Sequence, residues 1–242
     1  MSHAPDVFLA DAEQLGLAFD PGDLERLGRF LDLLYEANAR MNLTAIRNPA
    51  EAWSRHILDS LTLVPWLHAA VESAGRAGRM PSVIDVGSGG GLPGLVLACI
   101  SPETSFTLVE STGKKARFLE ETASTLGLDR VRVRAERAEV VGRDPDHRET
   151  HDLVTSRAVG PLNILAEYLV PLARPDGVVA AIKGARAEEE IAEAKQALYR
   201  LHAEVVEVHP TPTGRIVVLA KKRPVPKAYP RAVGEPKRRP LA

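Results

Sequence analysis

The sequence predicts an α/β fold with a mostly parallel sheet, helices on both of its faces and an antiparallel hairpin at its end. From residue 82 onward, short runs rich in β-branched residues alternate with longer amphipathic segments, and this alternation is typical of a parallel sheet covered by helices. Between the last two runs lies only the turn His209-Pro210-Thr211-Pro212-Thr213-Gly214, which predicts a hairpin. A glycine-rich segment follows the first run, where open parallel sheets bind ligands.

The composition is that of an ordinary globular protein. The 242 residues are 45% apolar and 26% charged, with 18 Gly and 18 Pro, which excludes a disordered, collagen-like or coiled-coil chain. No apolar run approaches the ~20 residues of a membrane span, and the start Met1-Ser2-His3-Ala4-Pro5-Asp6 lacks the features of a signal peptide. Cys99 is the single cysteine, so we expect no intrachain disulfide and no multi-cysteine metal site. These features predict a cytoplasmic protein.

The first part of the chain, residues 1–72, reads as helical. Asp20-Pro21 is a typical helix start, and leucines then recur at helical spacing, at Leu24, Leu27, Leu31 and Leu34. A second helical stretch is expected from Pro49 to Leu67. Residues 73–81 are small, glycine-containing and basic, which suits a linker to the next domain.

Residues 82–220 carry the predicted sheet. The seven expected strands are Val83–Val86, Phe106–Val109, Val131–Arg134, Leu153–Ser156, Val178–Ile182, Val205–Val208 and Ile216–Leu219. The expected helices are Leu92–Ile100, Lys114–Leu126, Pro161–Leu172 and Ala185–His202. Seven strands that end in an antiparallel hairpin are the layout of the Rossmann-like class I methyltransferases, an analogy of fold that does not by itself give a function.

The last 22 residues differ in charge from the rest. Residues 221–242 hold eight Lys and Arg against one Glu, a net charge of +7, whereas residues 1–220 hold 23 basic and 31 acidic residues, a net of −8. A basic, proline-rich end is expected to stay extended and to attract nucleic-acid phosphates, or to be a solvated end that binds nothing. The competing possibility, that Tyr229-Pro230-Arg231 packs back on the domain, stays open.

The glycine segment Asp85-Val86-Gly87-Ser88-Gly89-Gly90-Gly91-Leu92-Pro93-Gly94 admits two cofactor classes. Gly89 to Gly94 formally matches the dinucleotide pattern G-x-G-x-x-G, but this register starts late after the strand and places Pro93 in the helix opening. The register Asp85-x-Gly87-x-Gly89-x-Gly91 suits S-adenosylmethionine, which has no phosphate, and we favour it. Glu110 ends the second strand, where a carboxylate can accept both ribose hydroxyls of either cofactor.

Several further stretches are similar to a known family. They are Met41-Asn42-Leu43-Thr44-Ala45-Ile46, Arg55-His56-Ile57-Leu58-Asp59-Ser60, Gly113-Lys114-Lys115-Ala116-Arg117-Phe118-Leu119, Arg137-Ala138-Glu139, Thr155-Ser156-Arg157-Ala158, Ile182-Lys183-Gly184 and Tyr229-Pro230-Arg231-x-x-Gly234-x-Pro236. With the glycine segment, they make the chain resemble, over nearly its whole length, the bacterial small-subunit (16S) ribosomal RNA guanine-N7 methyltransferases (RsmG, also called GidB). Glu110 departs from the family, where Asp is frequent, but keeps the carboxylate.

The resemblance implies a cofactor site for S-adenosylmethionine. Gly87 and Leu92 would line its methionine end, Ala138 and Glu139 would flank its adenine, and Arg157 would face the reaction centre. Together with the residues taken from the glycine segment and the second strand, the cofactor-binding set is Asp85, Gly87, Gly89, Leu92, Glu110, Ala138, Glu139 and Arg157.

The RNA-facing residues are expected among the cations of these same motifs: Arg55, His56, Lys114, Lys115, Arg117, Lys183 and Arg231. Lys114 and Lys115 open a helix, where the macrodipole disfavours cations, so a phosphate backbone is a plausible partner. Arg55 and Asp59 stand four apart on a predicted helix and could instead form an ordinary surface pair.

The target atom sets the expected mechanism. Guanine N7 carries a lone pair and no proton, so no acid or base is assigned, and alignment of the reactants supplies most of the acceleration. We expect no metal site. The expected partner is small-subunit ribosomal RNA or a ribosomal particle, with the oligomeric state left open. The alternatives are an NAD-dependent oxidoreductase and a non-enzymatic RNA-binding module with a degenerate cofactor site.

Overall fold

The computed structural model describes residues 2–241. Helices form its N-terminal part, as predicted: α1 (Asp6–Gln14), α2 (Asp23–Met41), α3 (Pro49–Ala52), a π-helical turn (Trp53–Leu58), α4 (Asp59–Leu61) and α5 (Val64–Arg76). The apolar side of α2, which includes Leu27, Leu31 and Leu34, is fully buried. The helical spacing of the leucines therefore identified the face that packs on the rest of the protein.

The sheet has seven strands, and the predicted fold class is confirmed. They are β1 (Ser82–Val86), β2 (Ser105–Val109), β3 (Val131–Arg134), β4 (His151–Arg157), β5 (Ala173–Lys183), β6 (Ala203–Thr211) and β7 (Gly214–Lys221). Their order is β3-β2-β1-β4-β5-β7-β6. The first five strands are parallel, and β7 pairs antiparallel with both β5 and β6. The chain thus reverses its direction of winding between β1 and β4.

The remaining helices lie between the strands: α6 (Gly94–Ile100), α7 (Gly113–Thr125), α8 (Ala138–Val141), α9 (Leu162–Leu169), α10 (Ala187–Glu193), α11 (Lys195–Arg200) and α12 (Glu235–Arg238). Two apolar cores cover the two faces of the sheet. One joins the N-terminal helices to α6, α7 and the sheet, and the other joins α9, α10 and α11 to the opposite face. The N-terminal helical region therefore shares a core with the sheet.

Two local expectations are corrected. The segment 185–202, expected as one helix, is two short helices that meet at Ala194. Helix α5 extends to Arg76, so residues 73–76 of the expected linker are helical. Arg79, in the same segment, donates two hydrogen bonds to the carboxylate of Asp152, at 2.6 and 2.5 Å, because the buried acid at the start of β4 needs a cationic partner.

The basic C-terminal segment is folded against the domain, so of the expected arrangements the structure has the docked one. The guanidinium of Arg148 donates to the backbone carbonyls of Val225, Pro226 and Tyr229. These bonds hold a proline-rich stretch that has few backbone N–H groups of its own. Lys221, counted with the basic end, lies in β7 with its side chain buried and paired with Glu149. Part of the positive charge counted in residues 221–242 is thus neutralised by a partner elsewhere in the chain.

Within residues 2–241, no helix is both long and apolar enough to cross a membrane.

Candidate active site

The glycine segment lies at the carboxyl end of β1, beside the end of β4, where the winding of the sheet reverses. Such a switch point leaves a crevice that ligands use. Gly87 has φ +76°, and a Cβ built on it would collide with the side chain of Val159 in the loop after β4. Only glycine lets these two loops approach so closely.

Asp85 stabilises the loop from below and does not line the crevice. Its fully buried carboxylate accepts hydrogen bonds from the Thr155 hydroxyl, at 2.9 Å, and from the backbone N–H of Gly94, at 3.3 Å. Burial raises the pKa of Asp85 to about 6, against the lowering effect of these bonds. The expected contact of Asp85 with a cofactor is therefore replaced by an indirect role, since it fastens β1, β4 and the start of α6 together.

Glu110 lies directly after β2 and supports the glycine loop. Its carboxylate accepts from the backbone N–H of Gly89, at 3.1 Å, and from that of Thr112, at 2.7 Å. Each carboxylate oxygen has two acceptor sites, so these bonds orient Glu110 and leave it the capacity to accept hydroxyl groups.

Two cavities meet at Gly87 and Glu110. The first, of about 300 Å³, is lined by the glycine loop and by side chains from three other elements; its lining includes Gly89, Leu92, Thr44, His56, Lys115 and Arg157. The second, of about 120 Å³, lies on the β3 side and is lined by Val86, Ala138, Glu139, Val159 and Tyr168, among others. The crevice is thus a bent channel with a polar, cationic arm and a smaller arm next to α8.

Arg157 stands at the end of β4 and is held by the N-terminal helical region. Its Nη1 lies 3.3 Å from Oδ2 of the fully buried Asp59, and its Nη2 donates to the carbonyl of Arg55 at 2.8 Å. Asp59 also accepts a hydrogen bond from the hydroxyl of Thr213 in the β6–β7 turn. Burial lowers the pKa of Arg157, and the charge of Asp59 opposes that shift.

The expected Arg55–Asp59 pair does not form. Arg55 instead pairs with Glu51, at 2.8 Å. The reason is the π-helical turn Trp53–Leu58, whose wider turn takes residues four apart out of alignment. Asp59 is turned inward, to Arg157.

His56 is buried and lines the larger cavity. Its Nδ1 lies 3.2 Å from the carbonyl of Arg55, and its Nε2 lies 2.7 Å from the Thr44 hydroxyl. Burial, followed by the charge of Arg157, lowers the pKa of His56 to about 4. The ring is therefore neutral at pH 7, with Nδ1 donating and Nε2 accepting. This arrangement suits a wall residue better than a phosphate ligand.

The other cations expected to face RNA fall into two groups. Lys115 lines the larger cavity, while Lys114 and Arg117 are exposed on α7 just outside it. Lys183 and Arg55 line a further cavity, on the other side of Arg157. The sequence motifs thus converge on one end of the sheet.

Arg231 does not face the crevice opening. Its guanidinium and backbone N–H donate to both carboxylate oxygens of the fully buried Glu167, with distances of 2.7–3.2 Å. Nearby, the backbone N–H of Gly234 donates to Oε1 of Glu139 at 2.8 Å. Glu139 therefore ties the C-terminal segment to α8, the wall of the smaller arm. The charge of Arg231 is paired with the buried carboxylate of Glu167, so Arg231 fastens the C-terminal segment to the domain.

Sequence reasoning missed the loop after β4. Ala158 adopts φ +57°, which is unfavourable for alanine and is found at functional loops, and Val159 partly covers Gly87. Neither composition nor periodicity predicts a positive φ at an alanine. The only indication in the sequence was that Thr155-Ser156-Arg157-Ala158 lies at a predicted strand end. Thr213 was read only as part of a turn.

No group of three or more His, Cys, Asp or Glu side chains among residues 2–241 is placed to hold a metal ion. The expectation that no metal is needed stays a prediction.

Solved structures share this fold. A putative O-methyltransferase from Klebsiella pneumoniae aligns with a TM-score of 0.55 and 17% identity, over 91% of this chain and 98% of that one. A protein from Corynebacterium glutamicum aligns with a TM-score of 0.54 and 18% identity, over 90% and 97%. At such identities the likeness shows the fold alone.

Sequence relatives are more similar. The protein named Ribosomal RNA small subunit methyltransferase G from Sorangium cellulosum (strain So ce56) is 46% identical over 226 residues, 93% of this chain and 91% of that one. The protein of the same name from Roseiflexus sp. (strain RS-1) is 44% identical over 243 residues, 98% and 99% of the two chains. The family model GidB, described as rRNA small subunit methyltransferase G, matches residues 23–217. On this evidence the chain belongs to the GidB family, the rRNA small subunit methyltransferases G.

Proposed function

We propose that this protein transfers a methyl group from S-adenosylmethionine to N7 of one guanine in small-subunit (16S) ribosomal RNA. The observation that carries the proposal is the bent channel at the switch point of the sheet, in a chain of this family. The substrate is the RNA itself or a ribosomal particle that contains it. A protein with this substrate would act in the cytoplasm.

The residues of the channel fit the proposed cofactor. Gly87 lines both arms, and without a side chain its backbone can be approached closely, by the loop that carries Val159 and by a ligand that reaches from one arm to the other. The smaller arm, with Ala138 and Val86 on its walls, suits the flat adenine. The larger arm offers Lys115 and Arg157, which suit the carboxylate of the methionine part.

Each proposed contact follows from this placement. Glu110 stands between the arms and would accept the ribose hydroxyls. The backbone of Gly87, Gly89 and Leu92 would line the methionine part, while Ala138 and Glu139 would flank the adenine. Asp85 keeps its indirect role, since Gly94 and Thr155 already occupy its carboxylate.

When bound, S-adenosylmethionine supplies a methyl group on a positively charged sulfur. The methyl carbon would pass to the lone pair of guanine N7, and the electron pair of the broken carbon–sulfur bond would stay on sulfur. N7 loses no proton, so no residue is assigned as a general base, and neutral His56 is not needed as one. The protein contributes position and orientation, with Arg157 held rigidly between the channel and the space beyond it.

Exposed cations outside the channel would contact the phosphate backbone of the RNA. Arg55, Lys114 and Arg117 are exposed at this end of the sheet, and Lys115 lies at the wall of the larger arm. Contacts of this kind position the protein on phosphates without reading sequence.

The dinucleotide alternative is disfavoured by the first turn of α6. A pyrophosphate needs free backbone N–H groups at that helix end, but the N–H of Gly94 is directed to the buried carboxylate of Asp85 at 3.3 Å. This N–H is therefore not free to hold a phosphate, and the buried carboxylate behind it would repel one.

Mapping of N7-methylguanine in the ribosomal RNA of cells with and without the protein tests the proposal. We expect one position to lose its methyl group when the protein is absent. Titration calorimetry with S-adenosylmethionine and with NAD separates the alternatives: binding of NAD would indicate an oxidoreductase, and binding of neither would indicate an RNA-binding module. An unchanged methylation map would overturn the proposed activity.

A further inference from the structure

A third cavity, of about 490 Å³, adjoins the larger arm of the channel. Arg157 and Ala158 line both spaces, so this cavity opens beside the methionine part of the site. It lies at the carboxyl ends of β4 and β5 and is lined by charged groups of both signs, including Arg55, Lys183 and Glu190. The proposed transfer needs an acceptor site next to the cofactor, and this cavity has the right position.

Its wall carries a fixed ion pair. Lys183 Nζ lies 2.7 Å from Glu190 Oε2. The same Glu190 oxygen accepts from the backbone N–H of Leu162 at 2.9 Å, and Lys183 donates to the carbonyl of Gly160 at 2.6 Å. The side chains are only 7% and 18% exposed. Such a pair gains little stability from its burial, and no step assigned so far uses it.

The pair retains unused hydrogen-bonding capacity on the cavity side. Among residues 2–241, the contacts of Glu190 fall on Oε2, which leaves the two acceptor sites of Oε1 for a ligand, and the ammonium of Lys183 has a third N–H beyond the two groups it contacts. The wall therefore presents acceptors and a donor side by side. Asp59, the other carboxylate of the cavity, is engaged with Arg157 and Thr213.

This arrangement matches the Watson–Crick edge of guanine. That edge presents two adjacent donors, N1–H and the 2-amino group, followed by the acceptor O6. The two acceptor sites of Glu190 Oε1 beside the ammonium of Lys183 complement all three, whereas adenine presents its donor and acceptor in the opposite order. Proteins that read single RNA bases commonly use this edge, and enzymes that modify a base in structured RNA take it out of its stack.

Resting on the proposed function, we propose that the target guanine enters this cavity and that Glu190 and Lys183 read its Watson–Crick edge. Its N7, on the adjoining Hoogsteen edge of the base, would then face Arg157 and Ala158, which line both this cavity and the channel. Arg55, at the exposed rim, receives a neighbouring phosphate. Guanine selectivity would thus come from an anchored carboxylate and ammonium without an aromatic platform.

The test uses the full chain and an RNA fragment that carries the guanine methylated by the wild-type protein, and the same fragment with inosine, which lacks the 2-amino group. For the wild type, we expect the inosine fragment to lower kcat/KM by about 10- to 100-fold, the range of one specific base contact. Glu190→Gln should lower kcat/KM on guanine by a similar factor and should no longer distinguish guanine from inosine. Lys183→Gln should weaken methylation of both fragments.

Two further measurements keep the result specific. Fragment binding, followed by fluorescence anisotropy, should show the same loss of discrimination in Glu190→Gln, while calorimetric affinity for S-adenosylmethionine stays within twofold. Glu189→Gln is the matched control, because Glu189 is exposed on the same helix and pairs with Arg186; it should behave as wild type.

Wild-type discrimination in Glu190→Gln would overturn the base-reading role, as would a loss of activity fully explained by lost affinity for S-adenosylmethionine. A wild-type protein that methylates no guanine at all would instead refute the proposed function, so the two failures are distinguishable.

Discussion

Asp59 and Arg157 form an ion pair that joins the N-terminal helical region to the end of the central strand β4, with Oδ2 and Nη1 3.3 Å apart. Asp59 is fully buried and is turned inward by the π-helical turn before it. The pair therefore fixes the position of a cation that borders both the channel and the cavity beyond it.

The first prediction is that Asp59→Asn lowers both the stability of the protein and the rate of methyl transfer. Breaking a buried pair leaves the other charge uncompensated, at a cost of about 3 kcal/mol in the free energy of unfolding. We also expect at least a tenfold lower kcat, because Arg157 loses its anchor. Denaturant unfolding and methyl transfer at saturating RNA measure the two effects.

The exposed pair between Arg55 and Glu51 supplies the control. Glu51→Gln removes a similar ion pair on the surface, worth about 0.3–0.5 kcal/mol, and should leave kcat unchanged. Equal effects of Asp59→Asn and Glu51→Gln would show that the buried pair does not position Arg157.

The central strands β1, β2 and β4 were predictable because buried parallel strands are continuous apolar runs, and the glycine loop because its glycines follow the first of them. The partners of the charged residues were not predictable. Asp59 was read against its helical neighbour Arg55, but its actual partner, Arg157, is far away in the chain. In the same way, the prolines and cations of the C-terminal segment left open whether it is solvated or docked, since nothing local reveals that Arg148 and Glu167 will bind it. The periodicity of apolar residues predicts which side chains are buried. Ion pairs between distant elements depend on how those elements pack, which local sequence does not show.

The second prediction concerns Gly87→Val. The new side chain would meet Val159 and would require φ near +76°, which β-branched residues avoid. We expect the loop after β4 to be displaced, and affinity for S-adenosylmethionine to fall at least 100-fold, while circular dichroism shows a folded protein. Titration calorimetry measures the affinity.

Gly113→Ala is its counterpart, because a Cβ at Gly113 meets nothing within 4 Å and its φ is not positive. This variant should bind the cofactor as the wild type does. Unchanged affinity in a folded Gly87→Val protein would remove this loop from the cofactor site.

The third prediction is a pH dependence of stability that arises from His56. Its pKa is about 4 in the folded protein against 6.5 as the ordinary value, so the unfolded chain binds the extra proton first. The stabilising contribution is fully present above pH 6.5 and is lost as the pH falls from 6.5 towards 4. Between pH 7 and pH 5 it amounts to about 2 kcal/mol.

Urea unfolding of the wild type and of His56→Gln at pH 7 and pH 5 tests this. Other groups also titrate in this range: His151, with a pKa of about 3, acts in the same direction, and Asp85, with a pKa raised to about 6, acts in the opposite one. Their effects cancel in the difference between the two proteins. The variant should therefore lose less stability on acidification than the wild type, and an identical loss would contradict the neutral, buried state of His56.

The last prediction concerns the C-terminal segment. Deletion of Lys222 to Ala242 removes the bond from Gly234 to Glu139 and the bidentate pair between Arg231 and Glu167. Because Glu139 belongs to the wall of the smaller arm, we expect weaker binding of S-adenosylmethionine and a loss of turnover that persists at saturating RNA and low salt. The single change Arg231→Ala should reproduce much of this effect, since it strands the buried Glu167 at a cost of about 3 kcal/mol.

A variant that keeps the segment docked separates this role from simple charge attraction. Lys237, Arg238 and Arg239 are exposed on and after α12, and replacing all three by Gln removes positive charge without touching the contacts of Arg231 or Gly234. This triple variant should bind RNA more weakly with a flatter salt dependence, yet recover full turnover at low salt and saturating RNA. If the deletion recovers as completely as the triple variant, the segment acts through charge alone; if only the triple variant recovers, docking of the segment onto α8 and α9 is required to shape the cofactor site.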